Sequence, residues 1–298
     1  MHKILACTAL ISAVGGTIAL SQPAPNHGSE PPKQALILVA HGGDSLWNEP
    51  VLQLAREFGP DTAVEVAFLM GPYASRYRFQ DAVARLERLG ANDIVVVPLF
   101  VSSHSGHYEQ VRYLVGLTDS LDHRMLHHLE HAGISRPEAL RASLRLARAL
   151  DDSPELGEVL LQRALALATD PGRQAVLLLG HGPNSAEDYA EWMARLRPVA
   201  DSVAARGGFA DVRVELLRED APPNVRAEAV RRARDLVALQ HRVTGQPVLV
   251  VPVLLSRGGI ARGRLEADLS GLPVMLGATP LLPHPAIGRW IRSRLSSP

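Results

Sequence analysis

The sequence predicts an α/β protein of two similar units from an internal duplication, each unit a parallel sheet flanked by helices. Three observations predict it. An apolar run ending in His-Gly occurs twice, as ALILVAHGG at 35–43 and AVLLLGHGP at 175–183. A Val-rich run with an internal proline also occurs twice, as DIVVVPLFVS at 93–102 and PVLVVPVLLS at 247–256. Between such runs lie segments whose apolar residues recur at intervals of three and four, the period of an amphipathic helix.

Residues 1–21 have the layout of a signal peptide: a basic start at Met1-His2-Lys3, an apolar run from Ile4 to Leu20, and small residues before Gln22. They predict an exported, periplasmic chain with no stable membrane span after cleavage. Residues 22–33, rich in Pro and polar residues, predict a disordered linker. The first unit is expected at 34–170 and the second at 171–298, with the break near Asp170-Pro171-Gly172.

In the first unit the strand ending at His41 precedes a helical pattern at 48–58. The alternating run Val64–Met70 matches Val212–Arg218 of the second unit and suits a strand near a sheet edge. A helical pattern at 78–89 leads to the third strand. The fourth strand is expected at Arg124–Gly133, opposite Leu272–Pro280, with helices at 137–150 and 154–169. The second unit repeats the order with helices at 186–206, 225–241 and 285–295. Strands that alternate with helices call for right-handed crossovers. Pro98 and Pro252 fall inside apparent strands, which must bend or end their pairing there.

Composition removes several function classes. Lys plus Arg equals Asp plus Glu, at 31 each, so nucleic acid is not an expected partner. The single cysteine, Cys7, lies in the expected leader, which leaves no disulfide, thiolate ligand or Fe–S cluster, and any metal to His and carboxylate. No organic cofactor is expected: P-loop, dinucleotide fingerprint and G-x-S-x-G elbow are missing from any strand-turn-helix setting. A histidine phosphatase would need Arg before His-Gly, where Ala40 and Gly180 stand.

Ligands of open α/β sheets bind beyond the carboxyl ends of the strands. His41 follows the first strand, and His104 and His107 follow the third. In a flavodoxin-like strand order these loops share one cleft. Neutral imidazoles there suit a divalent ion such as Co²⁺, Fe²⁺ or Ni²⁺, and also accept a proton near neutral pH. The second unit keeps His181 but has SRGGIARGR at 256–264, which puts Gly258 opposite His104 and Ala261 opposite His107. One working site is therefore expected, with Arg257, Arg262 and Arg264 available to carboxylates of a ligand. His123, His127, His128 and His131 form a second cluster, read within a strand. His284 is expected to cap a loop before the last helix, and Gly182–Ser185 to start a helix that cradles an anion.

His-Gly after the first strand, Asn48-Glu49 beyond it, VEVAFL in the second strand, and VVPLFV followed by a histidine loop together resemble the class II tetrapyrrole chelatases, in their long two-domain form. The resemblance covers nearly all of the chain after residue 34. It implies two chelatase-like domains that insert a divalent metal, the reaction's substrate, into a polycarboxylated tetrapyrrole such as sirohydrochlorin. It implies His41 and His107 as catalytic residues, with His41, His104 and His107 as metal ligands. Gly42, Ser102, Ser103, His181, Arg257 and Arg262 are the matching substrate-binding candidates. The family often carries Glu at the end of the second strand, where Met70 stands. The alternative is an exported protein that binds metal or tetrapyrrole without turnover.

Overall fold

The two runs that end in His-Gly form buried strands, β1 (Gln34–Ala40) and β5 (Ala175–Gly180), each in the interior of its own four-stranded sheet. In a computed structural model of the chain, residues 33–59, 62–256 and 259–296 are described, without the side chains of 259–262. The expected signal peptide, the linker up to residue 32, Arg257 and Gly258 lie outside the described residues, as do the side chains of Ala261 and Arg262. Lys33, expected in the linker, already belongs to the fold: its carbonyl accepts from Asn92 N at 3.2 Å.

The first sheet pairs β2 (Ala63–Phe68), β1, β3 (Asp93–Pro98) and β4 (Ser143–Leu146) in that order, all parallel. The second repeats it with β6 (Asp211–Leu216), β5, β7 (Val248–Val253) and β8 (Val274–Leu276). First and third strands are neighbours in both sheets, so the loops after them open side by side. The alternating runs are edge strands, as their patterning predicts.

Both strand prolines have one explanation. Leu99 N donates to Val39 O and Ala147 N to Val96 O, so the backbone of even-numbered residues in β3 faces β4. The β4 ladder stops at Val96, and Pro98 comes where no partner needs its missing N–H. Pro252 repeats this, because β8 pairs only with Val248–Val250.

Helices α1 (Ser45–Arg56), α2 (Phe79–Arg88) and α3 (Gly106–Leu114) connect the first three strands and lead out of β3. Two expectations are reversed in the next stretch. Residues expected as the fourth strand form helix α4 (His123–His131), because Asp122 caps it by accepting from Arg124 N and Met125 N, and Leu129 is buried. The expected helix at 137–150 instead supplies β4, whose short SLRL run pairs with Asp93–Val96 while Arg145 binds Asp93 at 2.9 Å. Tertiary pairing on an open sheet edge has overridden the local period.

The chain continues through α5 (Pro154–Leu167), α6 (Ala186–Gly207), α7 (Pro223–Thr244), α8 (Gly259–Asp268) and α9 (Pro285–Leu295). Helix α8 begins inside the stretch 256–264, expected as a loop, so Arg262 and Arg264 sit on it. His284 caps α9 by accepting from Ala286 N at 3.1 Å. Helices α5 and α9 cross between the halves. The first packs on β7 and α6, the second on β3, and they touch each other. One core therefore runs from Leu36 and Val96 to Val176, Leu249 and Trp290. The division expected at residues 170–171 separates the sheets in sequence while the packing interleaves them. Among the described residues no helix is long and apolar enough to cross a membrane.

Candidate functional site

The loop after β1 is held open by its backbone. Leu69 N and Met70 N donate to Ala40 O and His41 O, tying the loop to the end of β2. Gly42 turns at φ +89°, and a Cβ there would lie 2.2 Å from Met70 O, so only glycine fits. Buried Asn48 closes the loop from beneath, accepting from Gly43 N at 2.9 Å and donating to Gly43 O at 2.8 Å. Glu49 faces solvent and pairs with Arg56.

This frame sets the His41 tautomer. Nδ1 lies 2.7 Å from Gly42 O, and a carbonyl only accepts, so Nδ1 carries the proton and Nε2 keeps its lone pair. His107, in the first turn of α3, is fixed in the same state by a side chain. Its Nδ1 donates to Gln110 Oε1 at 2.7 Å, while Gln110 Nε2 donates to Met125 O at 2.8 Å and so orients the amide. The His41 and His107 rings meet edge to face with centroids 4.6 Å apart. Burial pushes the His41 pKa below its ordinary value, against the Gly42 hydrogen bond, which raises it. Burial, and then the neighbouring His41, lower His107 to about 4. Both rings are neutral at neutral pH.

His104 is brought elsewhere. It is not among the residues of the cleft wall; its Nε2 lies 3.7 Å from Glu191, and its carbonyl accepts from the Trp192 indole. Ser102 is buried and accepts from His104 N at 3.1 Å. Ser103 donates from N and Oγ to Asp151 at 2.8 and 2.7 Å. Both serines brace the loop from behind.

The second half rebuilds the frame and changes its contents. His181 Nδ1 lies 2.8 Å from Gly182 O, and Leu217 N and Arg218 N donate to Gly180 O and His181 O. The loop after β6 then carries carboxylates: Asp220 lies 3.2 Å and Glu219 4.0 Å from His181 Nε2. Burial opposes charge on His181, yet the Asp220 bond, the Gly182 bond and Glu219 together raise its pKa above the ordinary value. The same bond from His181 lowers Asp220, while burial raises Glu219.

The two loop sets face one cleft of about 720 Å³, within the roughly 300–1,000 Å³ of small-molecule sites. His41 and His107 line one side, His181 and Asp220 the other, with Trp47 and Trp192 among its apolar wall. The N-terminus of α6, capped by Ser185, and Arg124 also reach it. Among the described residues, no three His, Cys, Asp or Glu side chains are grouped to hold a metal ion. The arrangement offers two imidazole lone pairs on one side and a basic imidazole opposite.

The sequence reading missed Asp220, Glu219 and Gln110. The run RED at 218–220, just past a strand that matches VEVAFLM, was the available signal for the first two. Gln110 had none beyond its spacing of three from His107.

Residues 35–167 match the model of the CbiX family. Among solved structures, the chain resembles SirB from Bacillus subtilis with Fe3+, at TM-score 0.60 and 16% identity, over 89% of this chain and 94% of that one. It also resembles DR2241 from Deinococcus radiodurans, described as multi-domain with structural similarity to chelatases and two additional novel domains. There the TM-score is 0.54 and the identity 22%, over 87% of this chain, which spans 54% of that protein. At these identities the likeness is one of fold. No curated protein matches the chain.

Proposed function

We propose, from the match of residues 35–167 to the CbiX family model, that the chain inserts a divalent metal ion into a polycarboxylated tetrapyrrole bound in the cleft. One observation carries the proposal. His41 and His107 meet at 4.6 Å with both Nδ1 atoms engaged, which leaves both Nε2 lone pairs for an incoming ion. Co²⁺ and Fe²⁺ are the ions of choice, with Ni²⁺ accepted by the same donors. Iron is favoured further by the Fe3+ named for the SirB structure.

Insertion releases two pyrrole protons as the ion enters the ring. His107, with a pKa of about 4, is too weak a base to collect them and serves as ligand. His181 is the strongest base of the three cleft histidines, and Asp220 at 3.2 Å stabilises its protonated form. A partly exposed ring also hands the proton on to water. Carboxylates of the macrocycle are held by the α6 N-terminus and Arg124, and the sequence reading assigns Arg257 and Arg262 to the same task. Sirohydrochlorin is the proposed macrocycle, and the expected leader makes the periplasm the proposed place of action.

The test mixes metal-free mature chain with sirohydrochlorin and Co²⁺ or Fe²⁺ and follows the absorbance against a protein-free control. Accelerated metallation, lost in His41→Ala, is expected. A shifted ligand spectrum without acceleration would make the protein a carrier.

A further inference from the structure

Helix α4 carries His123, His127, His128 and His131, and none of the four lines the cleft. His127 and His131 are exposed and stand one turn apart, their ring centroids 6.3 Å from each other and their planes 35° apart. Side chains at i and i+4 lie one above the other on a helix. Small side-chain rotations therefore bring one nitrogen of each to a shared ion, at a bond length of about 2.1 Å.

The other side of the helix reaches the cleft. Asp122, Arg124 and Met125 form part of its wall, and Met125 O orients the Gln110 amide that holds His107. Between the two faces stands His128, half-buried, with a buried Nδ1 that has no hydrogen-bond partner among the described residues. His128 lies close enough to His41 and His107 for its charge to lower the pKa of both. A histidine pair on the surface, an unpartnered imidazole behind it and the cleft pair beyond are thus joined by one nine-residue helix.

We infer that His127 and His131 chelate a divalent first-row metal ion on the outer face of α4 and collect it for the cleft. With no third His, Cys, Asp or Glu grouped there among the described residues, water fills the remaining positions and the ion stays exchangeable, as a collecting site requires. Chelation stands independently of the function proposed above; the collecting role rests on it.

The experiment uses the full mature chain without a polyhistidine tag, with Co²⁺ binding followed by equilibrium dialysis. The double variant His127→Ala/His131→Ala is compared with His41→Ala/His107→Ala. Alanine is the better helix former and the replaced residues are exposed, so folding is retained, which a thermal melt checks. One Co²⁺ equivalent is expected to survive the cleft double variant and disappear in the α4 double variant. His131→Ala alone should weaken that equivalent by about 100-fold, the low end of what linking two ligands gives. Unchanged Co²⁺ binding in the α4 double variant overturns the site. In the insertion assay, that variant should be slower at limiting Co²⁺ and match the parent at saturating Co²⁺. Equal slowing at every concentration overturns the collecting role. If the parent chain inserts no metal, the dialysis still decides the chelate, and it is the proposed function that fails.

Discussion

The His-Gly loops of the two halves have nearly the same geometry and opposite electrostatics. In each, the ring Nδ1 donates to the next carbonyl, at 2.7 Å for His41 and 2.8 Å for His181, and the following glycine takes a positive φ. Each loop is tied by two backbone bonds to the end of the adjacent strand. The neighbours differ. His41 faces another imidazole and titrates below its ordinary range, whereas His181 faces Asp220 and Glu219 and titrates above it. The duplicated backbone fixes where a histidine points, and the residues that end the second and third strands fix what it does there. Interleaved helices then hold the two loops on one cleft, so the half proposed to bind metal and the half proposed to accept protons open on the same space.

The largest effect should separate those roles. His41→Ala removes a ligand and is expected to cost both Co²⁺ binding in the cleft and about 10²–10⁴-fold in insertion rate. His181→Ala should slow insertion while the His41–His107 pair still binds Co²⁺, as measured by dialysis in the α4 double variant background. Equal loss of Co²⁺ binding in both would break the comparison. A smaller effect is expected from Gln110→Ala, which touches neither ion nor macrocycle. It frees the His107 ring and leaves Met125 O without its donor, so cleft affinity should fall about 10–100-fold. Retained affinity would mean that α3 alone sets the ring.

Acidity sharpens the same contrast. Imidazole binds metal only when neutral, and an ordinary histidine protonates near pH 6.5. His107 is lowered to about 4, and His41 is lowered too, so cleft Co²⁺ binding should persist well below pH 6.5 and fail toward pH 4. A binding midpoint at 6.5 would contradict the burial argument. The linkage to stability has the same sign. The folded pKa of His107 lies below its unfolded value, so its contribution is complete above pH 6.5 and drains away as the pH falls toward 4. Thermal melts across that window should show a falling Tm.

Much of this was legible in the sequence. Strand runs buried on both faces announce themselves by continuous apolar character, and the duplication made each reading count twice. His41 and His107 could be placed in one cleft because strand order puts the first and third strands together. His104 could not be told from His107, since only α3, beginning at Gly106, aims one ring inward while His104 meets Glu191 and Trp192. The histidines of α4 were misread as a strand because Leu126 and Leu129 alone do not define a period, and the Asp122 cap was the overlooked signal. The pairing of β4 with β3 was illegible because four residues are too few to show alternation. Asp220 was hidden for another reason: its partner is across a loop in space, and nothing local marks a carboxylate as the neighbour of a histidine nearly forty residues earlier.

The smallest effect, and the most specific, concerns Asp220. Its side chain is 66% exposed, so its charge is screened, and its influence on His181 runs mainly through the 3.2 Å hydrogen bond. Asp220→Asn keeps the shape and removes the charge. The His181 pKa, followed by NMR titration of its ring protons, should then fall. The rate consequence has a definite sign. His181 must be neutral to accept a pyrrole proton, so insertion rises with pH through its pKa. Lowering that pKa moves the acid limb of the rate profile to lower pH while the plateau drops, because the base is weaker. Asp220→Glu should restore part of the shift. If the His181 pKa stays in place in Asp220→Asn, then buried Glu219, at 4.0 Å, holds the proton on His181. The contrast between the halves would then rest on the residue that follows Arg218, one position earlier in the loop.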